Sequence, residues 1–252
     1  MKSFTIAKND AGQRLDKFIT KAVPLLPQGL MYKYIRTKRI KVNSKRSEIS
    51  YKLVEGDTVD MYINDEFFAP AKEHFDFLSA SKKLDIIYED ENILLLNKKV
   101  GLLSHPDDTE YNDTLITRVK RYLYEKGEYD PRDEQSFTPS LVNRIDRNTG
   151  GIVIAAKNAE SLRILNQKQI RTKYSVLAEN GGLSLVEVEL LTGRTHQIRA
   201  HFASVGHPLL GDGKYGSNAL NKPLGYKKQF LYSYKLKFAF TTDAGILEYL
   251  NG

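Results

Sequence analysis

One acidic residue stands between two arginines in the stretch NRIDRNTGG, which covers residues 143–151. Arg144 and Arg147 surround Asp146 with positive potential, which favours the ionised carboxylate. A carboxylate that is ionised and held in direction by a cation can act as a nucleophile. The same three side chains also suit a surface ion-pair network, and a lone acid can cap a turn or bind a metal. Residue chemistry alone leaves the network and the nucleophile equally open.

The place of Asp146 in the chain bears on this choice. If residues 141–146 are extended, side chains alternate, so Arg144 and Asp146 share one face while Ile145 points to the core. The residues that follow, RNTGG, have the composition of a turn. We therefore expect Asp146 near the end of a strand, a common position for binding residues.

A second informative stretch, TGRTHQIRAHFASVGHPLLGD, covers residues 192–212. It is expected to form a helix with Thr195 as the N-cap. At about 100° per residue, His196 and Arg199 share an edge of this helix that does not face the core. The core face is expected to carry the residues at i, i+4 and i+7, which are Ile198, Phe202 and Val205. Arg199 is thus a candidate for a further cation beside Asp146.

Metal-dependent and serine-triad chemistries fit the sequence poorly. His196 and His201 are five residues apart, not the four that place two metal ligands on one helical face, and His201 is expected in the core. The sequence contains no Gly-x-Ser-x-Gly elbow. The lack of cysteine excludes disulfides and thiolate metal sites. We therefore expect no metal site and no serine triad.

Composition and charge narrow the class of protein. Of the 252 residues, 41% are hydrophobic and 27% are charged, and no apolar run approaches the roughly 20 residues that span a bilayer. The N-terminus lacks the apolar core of a secretory signal, so a cytoplasmic location without a membrane partner is expected. We also expect a monomer. Residues 1–65 hold 13 Lys/Arg against 7 Asp/Glu, most of the net charge of +7. Such uneven positive charge favours a polyanionic partner.

The sequence predicts two domains. Residues 1–63 have the pattern of a small α/β unit with two short helices and a hairpin, 64–83 that of a linker, and 84–252 that of an α+β domain with a mixed, largely antiparallel sheet. The run MYKYIRTKRIKVNSKR, residues 31–46, contains seven Lys/Arg and no acid. We expect these seven to bind a polyanion: Lys33, Arg36, Lys38, Arg39, Lys41, Lys45 and Arg46.

Several stretches together resemble one known family. NRIDRNTGGIVIAAK resembles the catalytic motif of the RluA-type pseudouridine synthases, usually His-Arg-Leu-Asp-Arg-x-Thr-Ser-Gly followed by an apolar strand. GRTHQIRAHFASVGHPLLGDGKYG is similar to the basic motif of that family, and LNKKVGLLSHP to its first motif. Residues 14–62 resemble the alpha-L RNA-binding fold named after ribosomal protein S-four. The resemblance covers most of residues 14–240.

By this resemblance, Asp146 is the catalytic aspartate and Arg199 is the basic residue that pairs with it. The family breaks the N1–C1′ bond of a uridine in RNA, turns the uracil and rejoins it through C5, without a metal or cofactor. The aspartate acts as nucleophile at C1′ or at C6, or helps by proton abstraction, and the sequence does not decide between these routes. The resemblance assigns substrate contacts to Arg144, Thr149, His105, Arg194, His196 and Gln197.

The sequence departs from the family pattern at three places. Asn143 replaces the usual histidine, and Gly150 the usual serine. Family members also carry a segment between the helix that here ends at Ile170 and the strand at Tyr174, including a Lys-x-Tyr motif whose tyrosine stacks near the uracil. Either this segment is absent from the chain, or Tyr174 takes the role of that tyrosine. We favour absence, which leaves the active-site tyrosine unassigned.

The resemblance implies that the protein isomerises uridines in RNA to pseudouridine. The 23S RNA of the large ribosomal subunit is the first candidate substrate, and transfer RNA is the second. One alternative is an RNA-binding or ribosome-assembly factor that keeps the fold with little or no turnover. Another, a glycoside hydrolase with paired carboxylates, needs a second acid across the scissile bond, and the sequence offers no evident partner for Asp146.

Overall fold

The computed structural model describes residues 1–68, 74–166, 172–190 and 196–252. The chain divides into two compact units. The first consists of Met1–Asp76, Leu123–Pro139 and Asn158–Glu160. The second consists of Phe77–Tyr122, Ser140–Lys157 and Ser161–Gly252. The domain limits predicted from the sequence, including the linker at 64–83, stay predictions.

A three-stranded antiparallel sheet and two helices make up most of the first unit. The strands are β1 (Lys2–Thr5), β2 (Ile40–Val42) and β3 (Thr58–Met61), in the order β1-β3-β2. The helices are α1 (Leu15–Ala22) and α2 (Gln28–Arg36). The sequence pattern did not predict β1, because only Phe4 of its four side chains is buried and no alternation is visible.

Apolar residues at helical spacing build the core of this unit. The fully or almost fully buried side chains of the two helices are Leu15, Phe18, Ile19, Met31 and Ile35. They pack against buried residues of the sheet such as Ile40 and Val59. Burying each large apolar side chain contributes about 1.5–3 kcal/mol relative to leaving it exposed. This packing leaves Lys33 and Arg36 of α2 exposed to solvent.

A largely antiparallel sheet forms the centre of the second unit. The strands of this unit are β4 (Ile86–Glu89), β5 (Ile93–Lys98), β6 (Ser140–Leu141), β7 (Gly150–Ala156), β8 (Thr172–Asn180), β9 (Leu183–Leu190) and β10 (Tyr232–Ser233). The main sheet has the order β10-β7-β5-β4, with β6 also on β7. Within the described chain, only the pairing of β10 with β7 is parallel.

The described chain contains four more α-helices, all of which follow β5 in the sequence. They are α3 (Leu115–Glu125), α4 (Ala159–Leu165), α5 (Gln197–Ser204) and α6 (Asn218–Asn221). The mixture of helices with a mostly antiparallel sheet confirms the predicted α+β class. Among the described helices, none is long and apolar enough to cross a bilayer.

The strands β8 and β9 form a separate two-stranded hairpin. Its register pairs Thr172 with Leu190 and Asn180 with Leu183. Several of its apolar side chains are exposed: Tyr174, Val176, Leu177, Leu183 and Leu185. The ring of Tyr174 nevertheless contacts Phe202 of α5 edge-on, with the ring centroids 5.4 Å apart.

The burial of α5 contradicts the core face predicted for it. Val205 lies just beyond the end of the helix and is 68% exposed, and His201 is exposed instead of packed in the core. Arg199 is the buried residue of this helix. The prediction from apolar periodicity failed here because Asp146 and Asp212 neutralise the guanidinium of Arg199. A charged side chain can therefore take the inward position. The predicted N-cap, Thr195, lies outside the described residues.

Candidate active site

Asp146 lies in the connection between β6 and β7. The strand β6 ends at Leu141, so the predicted extension of this strand to Asp146 is wrong. The side chain of Asn143 takes over the pairing: its Oδ1 accepts from the N–H of Ile154 at 2.8 Å, and its Nδ2 donates to the carbonyl of Ile152 at 3.2 Å. An N–H of Thr149 donates to the Asp146 carbonyl at 3.0 Å and closes the following turn.

The two carboxylate oxygens of Asp146 have different surroundings. Oδ2 accepts from Nη1 of Arg199 at 2.7 Å and from Nε2 of Gln229 at 3.2 Å. Oδ1 lies 3.6 Å from Nε2 of His196, and no other contact to this oxygen is seen in the described parts of the chain. The side chain is 20% exposed. One oxygen is therefore fixed by two donors, while the other accepts no hydrogen bond from the described residues.

Arg199 is itself fixed from behind by a second carboxylate. Its Nε donates to Oδ2 of Asp212 at 2.7 Å, and its Nη2 donates to Oδ1 at 2.9 Å. Asp212 is fully buried, and its Oδ1 also accepts from the N–H groups of Lys214 and Tyr215. The hydrogen bonds from Arg199 and these two N–H groups lower the pKa of Asp212 to about 2. The pKa of Arg199 is raised by its hydrogen bonds with Asp212 and, to a smaller extent, by its hydrogen bond with Asp146.

His196 precedes α5 in a left-handed conformation, with φ 59° and ψ 19°. Such a backbone is costly for a residue other than glycine and is commonly found at functional sites. Its Nδ1 lies 3.2 Å from the hydroxyl of Tyr215. The guanidinium carbon of Arg199 lies 5.4 Å from the centroid of the Tyr215 ring. His196 thus lies between the hydroxyl of Tyr215 and Oδ1 of Asp146.

Gln229 and Thr149 complete the buried side of the site. Nε2 of Gln229 donates to Oγ1 of Thr149 at 3.0 Å as well as to Asp146. Both residues are buried. Gly150, which stands where the family usually has serine, packs so closely under the ring of Tyr232 that a Cβ atom there would lie 2.7 Å from the ring. Glycine at this position therefore allows β10 to approach β7.

A buried lysine supports the loop from the side of β5. Nζ of Lys98 donates to the carbonyls of Leu102 at 2.6 Å, Arg147 at 3.2 Å and Lys99 at 3.3 Å. Burial lowers the pKa of Lys98 to about 8, and the charge of Asp146 opposes this shift. The N–H of Gly101 also donates to the carbonyl of Arg147 at 2.8 Å. The first motif thus braces the Asp146 loop.

The other predicted substrate residues lie at varied positions. Arg144 is exposed, while Gln197 is half-buried in the first turn of α5. His105 is half-buried, and its pKa is lowered by burial and then by the charges of Arg144 and Lys120. Its imidazole is therefore neutral at neutral pH. Arg194 lies outside the described residues.

The basic residues predicted to bind a polyanion lie on α2, β2 and the turns that follow them. All but the half-buried Lys41 are exposed: Lys33, Arg36, Lys38, Arg39, Lys45 and Arg46. Lys41 lies over the ring of Tyr62, with Nζ 5.2 Å from the centroid, and Arg39 lies over Tyr34 at 5.5 Å. The first unit therefore presents a positive surface with two aromatic rings in contact with it.

Asp212, Gln229 and Tyr215 are residues of the site that the sequence analysis missed. Asp212 and Tyr215 stand inside the second motif, in GDGKYG, but a Gly-Asp pair suggests a turn and gives no sign of its partner. Gln229 belongs to no recognised motif. One signal could have identified Asp212. A buried arginine needs more than one acceptor, and Asp212 follows the helix that carries Arg199 closely in the sequence.

Comparison with known proteins gives the family. A family model described as RNA pseudouridylate synthase matches residues 92–181 and 163–204. An uncharacterised RNA pseudouridine synthase of Mycoplasma capricolum is 33% identical over 100% of this chain and 95% of its own length. The ribosomal large subunit pseudouridine synthase C of Haemophilus influenzae is 25% identical over 99% of this chain and 90% of its own. Among solved structures, one titled "Human RNA Pseudouridylate Synthase Domain Containing 4" is 19% identical in sequence, with a TM-score of 0.41. The match covers 56% of this chain and 76% of that chain.

The alignments also bear on the segment expected to be absent near Ile170. The alignment with the Mycoplasma capricolum relative spans 299 positions and covers all 252 residues, so at least 47 positions (299 − 252) have no counterpart here. The two segments that match the family model overlap at residues 163–181. The length of the alignment does not locate these positions, so the absence of the segment near Ile170 stays a prediction, in line with the overlap of the two matched ranges. With a relative of this identity matched along the whole sequence, the chain belongs to the RNA pseudouridine synthase family, of the RluA type.

Proposed function

We propose that Asp146 is the catalytic carboxylate with which this RNA pseudouridine synthase isomerises uridines of 23S ribosomal RNA. The observation that carries the proposal is the fixed direction of its carboxylate. Arg199 and Gln229 bind Oδ2, and Asp212 holds Arg199 in turn. Oδ1 accepts no hydrogen bond from the described residues, and its one polar neighbour there is Nε2 of His196 at 3.6 Å, so we assign the contact with the substrate to this oxygen.

The site around Asp146 suits an isomerisation, a reaction in which the substrate gains and loses no atoms overall. The N1–C1′ bond of uridine breaks, the uracil turns, a C5–C1′ bond forms, and the proton on C5 is released while N1 acquires one. Asp146 contributes as a nucleophile at C1′ or C6, or by abstracting a proton. Each route requires an ionised carboxylate, and Arg199 supplies the adjacent positive charge that stabilises it.

The remaining motif residues are proposed to hold the flipped nucleotide. A target base must leave its stack before the reaction. Arg144, His196 and Gln197 lie on or next to the elements that carry Asp146 and Arg199, and we assign them to substrate contacts together with Thr149, His105 and Arg194. The neutral imidazole of His105 can both donate and accept a hydrogen bond.

Ribosomal RNA is the proposed substrate, with transfer RNA second. This choice rests on the relatives named ribosomal large subunit pseudouridine synthase C. The positive surface of the first unit, which resembles an alpha-L domain, is proposed to bind the phosphate backbone of the same RNA. We further propose that the enzyme is a monomer and acts in the cytoplasm.

The test compares the wild-type protein with Asp146→Asn and Asp146→Ala on transcribed 23S RNA. Pseudouridine is detected by carbodiimide labelling followed by primer extension. We expect both substitutions to abolish pseudouridine formation without loss of RNA binding. Asp113→Asn is the matched control, because Asp113 also binds an arginine, Arg118, through two hydrogen bonds of 2.7 Å. Full activity of Asp146→Asn would refute the catalytic role, and activity only on transfer RNA would change the substrate.

A further inference from the structure

A stretch of thirty residues in the second unit is basic and aromatic at once. Residues 213–242 contain six lysines and no acidic residue. Within this stretch, Tyr226, Lys227, Lys228, Gln229 and Phe230 follow one another as YKKQF, and we refer to them as the YKKQF segment. All but Gln229 are exposed. Lysines beside exposed rings are typical of surfaces that bind single-stranded nucleic acid.

The two rings of the YKKQF segment form an exposed pair. Tyr226 and Phe230 contact each other edge-to-face, with centroids 4.7 Å apart and an interplanar angle of 77°. Phe230 is 62% exposed and Tyr226 is 40% exposed. Water contact with this much aromatic surface is unfavourable. A ring that stays exposed at the edge of a catalytic site is therefore well placed to gain energy from a ligand that covers it.

The backbone holds this pair in place. The N–H of Phe230 donates to the carbonyl of Leu210 at 2.8 Å, and the N–H of Tyr226 donates to the carbonyl of Asn221 at 3.3 Å. Gly211 has φ +73° and packs directly against the Lys228 carbonyl, where a Cβ atom would clash. The rings are thus presented by a braced chain segment, which lowers the entropy lost when a ligand binds.

Gln229 connects the exposed pair to the catalytic site. Its buried side chain contacts Asp146 and Thr149, while its neighbours Lys228 and Phe230 are exposed. The binding surface therefore begins one residue away from a group that holds the catalytic carboxylate.

We propose that Tyr226 and Phe230 stack against a base of the RNA strand next to the target uridine, while Lys227 and Lys228 bind its phosphates. The proposal rests on the proposed function of Asp146. Flipping a uridine removes the stacking partner of its neighbour, and an aromatic ring replaces that partner regardless of base identity. The lack of acid from 213 to 242 favours a polyanion over a protein surface as the partner.

Binding of a fluorescein-labelled single-stranded oligouridine of about ten nucleotides to the full-length protein tests this site. Phe230→Ala and Tyr226→Ala should each raise the Kd roughly five- to 150-fold, since stacking of one base contributes about 1–3 kcal/mol. Phe230→Tyr should bind like the wild type, because the ring is kept. Lys227→Ala and Lys228→Ala should each reduce the slope of log Kd against log salt by about 0.7.

Two controls separate stacking from general effects. Tyr88→Ala removes a tyrosine that is also 40% exposed, but on β4, at the edge of the sheet opposite β10, and should leave the Kd unchanged. A blunt RNA duplex should bind Phe230→Ala as it binds the wild type, because its bases are already stacked. Equal loss of duplex and single-strand binding, or wild-type Kd values for both Phe230→Ala and Tyr226→Ala, would overturn the proposal.

The outcome for this surface is distinguishable from that for Asp146. Oligouridine binding needs no turnover, so it can be measured in the Asp146→Asn background as well. If Asp146→Asn still forms pseudouridine while Phe230→Ala loses single-strand affinity, the proposed catalytic role fails and the stacking site stands. If Asp146→Asn is inactive while Phe230→Ala and Tyr226→Ala both bind and react like the wild type, the stacking site alone fails.

Discussion

Asp212 binds Arg199 through two hydrogen bonds, from Nε to Oδ2 at 2.7 Å and from Nη2 to Oδ1 at 2.9 Å. Only Nη1 of the guanidinium is left to point at Asp146, at 2.7 Å from Oδ2. A planar guanidinium held along one edge by two hydrogen bonds cannot rotate away from its partner at Nη1. The buried carboxylate of Asp212 therefore determines where the positive charge of Arg199 meets the carboxylate of Asp146.

Replacing Asp212 by asparagine should lower kcat by about 100-fold, because small misplacements of a catalytic group have effects of this size. KM for RNA should change little, since Asp212 is fully buried and cannot touch the substrate. Asp212→Glu should recover less than the wild-type rate but more than Asp212→Asn. Single-turnover kinetics on transcribed RNA measure the effect.

The control for this substitution is Asp113→Asn, which removes a similar paired contact from Arg118. It should lower stability without affecting kcat. In an Arg199→Met background, Asp212→Asn should have almost no further effect on kcat, because its action runs through the arginine. Additive losses in the double variant would contradict a positioning role for Asp212.

Lys98 makes stability depend on pH in a defined direction. Its pKa is about 8 in the folded protein against 10.5 when unperturbed, so between these values the unfolded chain binds a proton that the folded chain does not. The free energy of unfolding therefore rises with pH across this window, by up to about 3 kcal/mol. Below pH 8 both states are protonated and the cost of burying the charge remains.

Urea unfolding of the wild type and Lys98→Met at a series of pH values isolates this contribution, because all other titrating groups are shared. The stability of the wild type minus that of Lys98→Met should increase between pH 8 and 10.5. A difference that is constant, or that falls with pH, would show that the ammonium of Lys98 is not destabilised by burial.

Gln229→Glu should produce an enzyme whose rate recovers in acid relative to the wild type. At neutral pH the introduced carboxylate would lie at hydrogen-bond distance from Asp146 and repel it by a few kcal/mol, which lowers kcat about 100-fold. This repulsion raises the pKa of the introduced group. As the pH falls toward about 5, the group becomes protonated and again donates a hydrogen bond to Oδ2.

The measured quantity is the ratio of the Gln229→Glu rate to the wild-type rate at each pH, which removes the titration that both proteins share. Gln229→Leu is the matched control: it loses the donor but introduces no acid, so its ratio should not change with pH. A ratio for Gln229→Glu that is equally flat would show that the amide does not bind Asp146 during the reaction.

The sequence identified the parts of the fold that depend on local periodicity. The two short helices of the first unit and the largely antiparallel sheet of the second were predicted, because the apolar runs that indicate them are contiguous in the chain. The motif around Asp146 and the presence of Arg199 were also visible. Their contact joins residues 53 positions apart, and its geometry depends on tertiary packing that no local pattern contains.

The features that the sequence missed have physical reasons. The inward face of α5 was assigned to apolar residues, but ion pairing buries Arg199 while Val205 stays exposed. Residues 66–252 hold 25 Lys/Arg against 24 Asp/Glu, and this near-neutral total concealed the basic stretch at 213–242. Charge averaged over a domain does not show a local surface.

Asn143 provides the last prediction, since it stands where the family usually has histidine. Its side chain replaces two strand hydrogen bonds, with Ile152 and Ile154 of β7, just before the Asp146 loop. Asn143→Ala should lower the free energy of unfolding by about 1–3 kcal/mol, because the freed backbone groups lose their partners. It should also lower kcat without raising KM, because the loop that carries Asp146 loses an anchor.

Asn143→Asp separates the two hydrogen bonds. A carboxylate still accepts from the N–H of Ile154 but cannot donate to the carbonyl of Ile152, so about half of the stability loss of Asn143→Ala is expected. Urea unfolding and single-turnover rates, measured on the same preparations, give both quantities. If Asn143→Ala unfolds at the same urea concentration as the wild type and keeps its kcat, the loop is held by Lys98 and Ser104 instead, whose side chains donate to the carbonyls of Arg147 and Ile145.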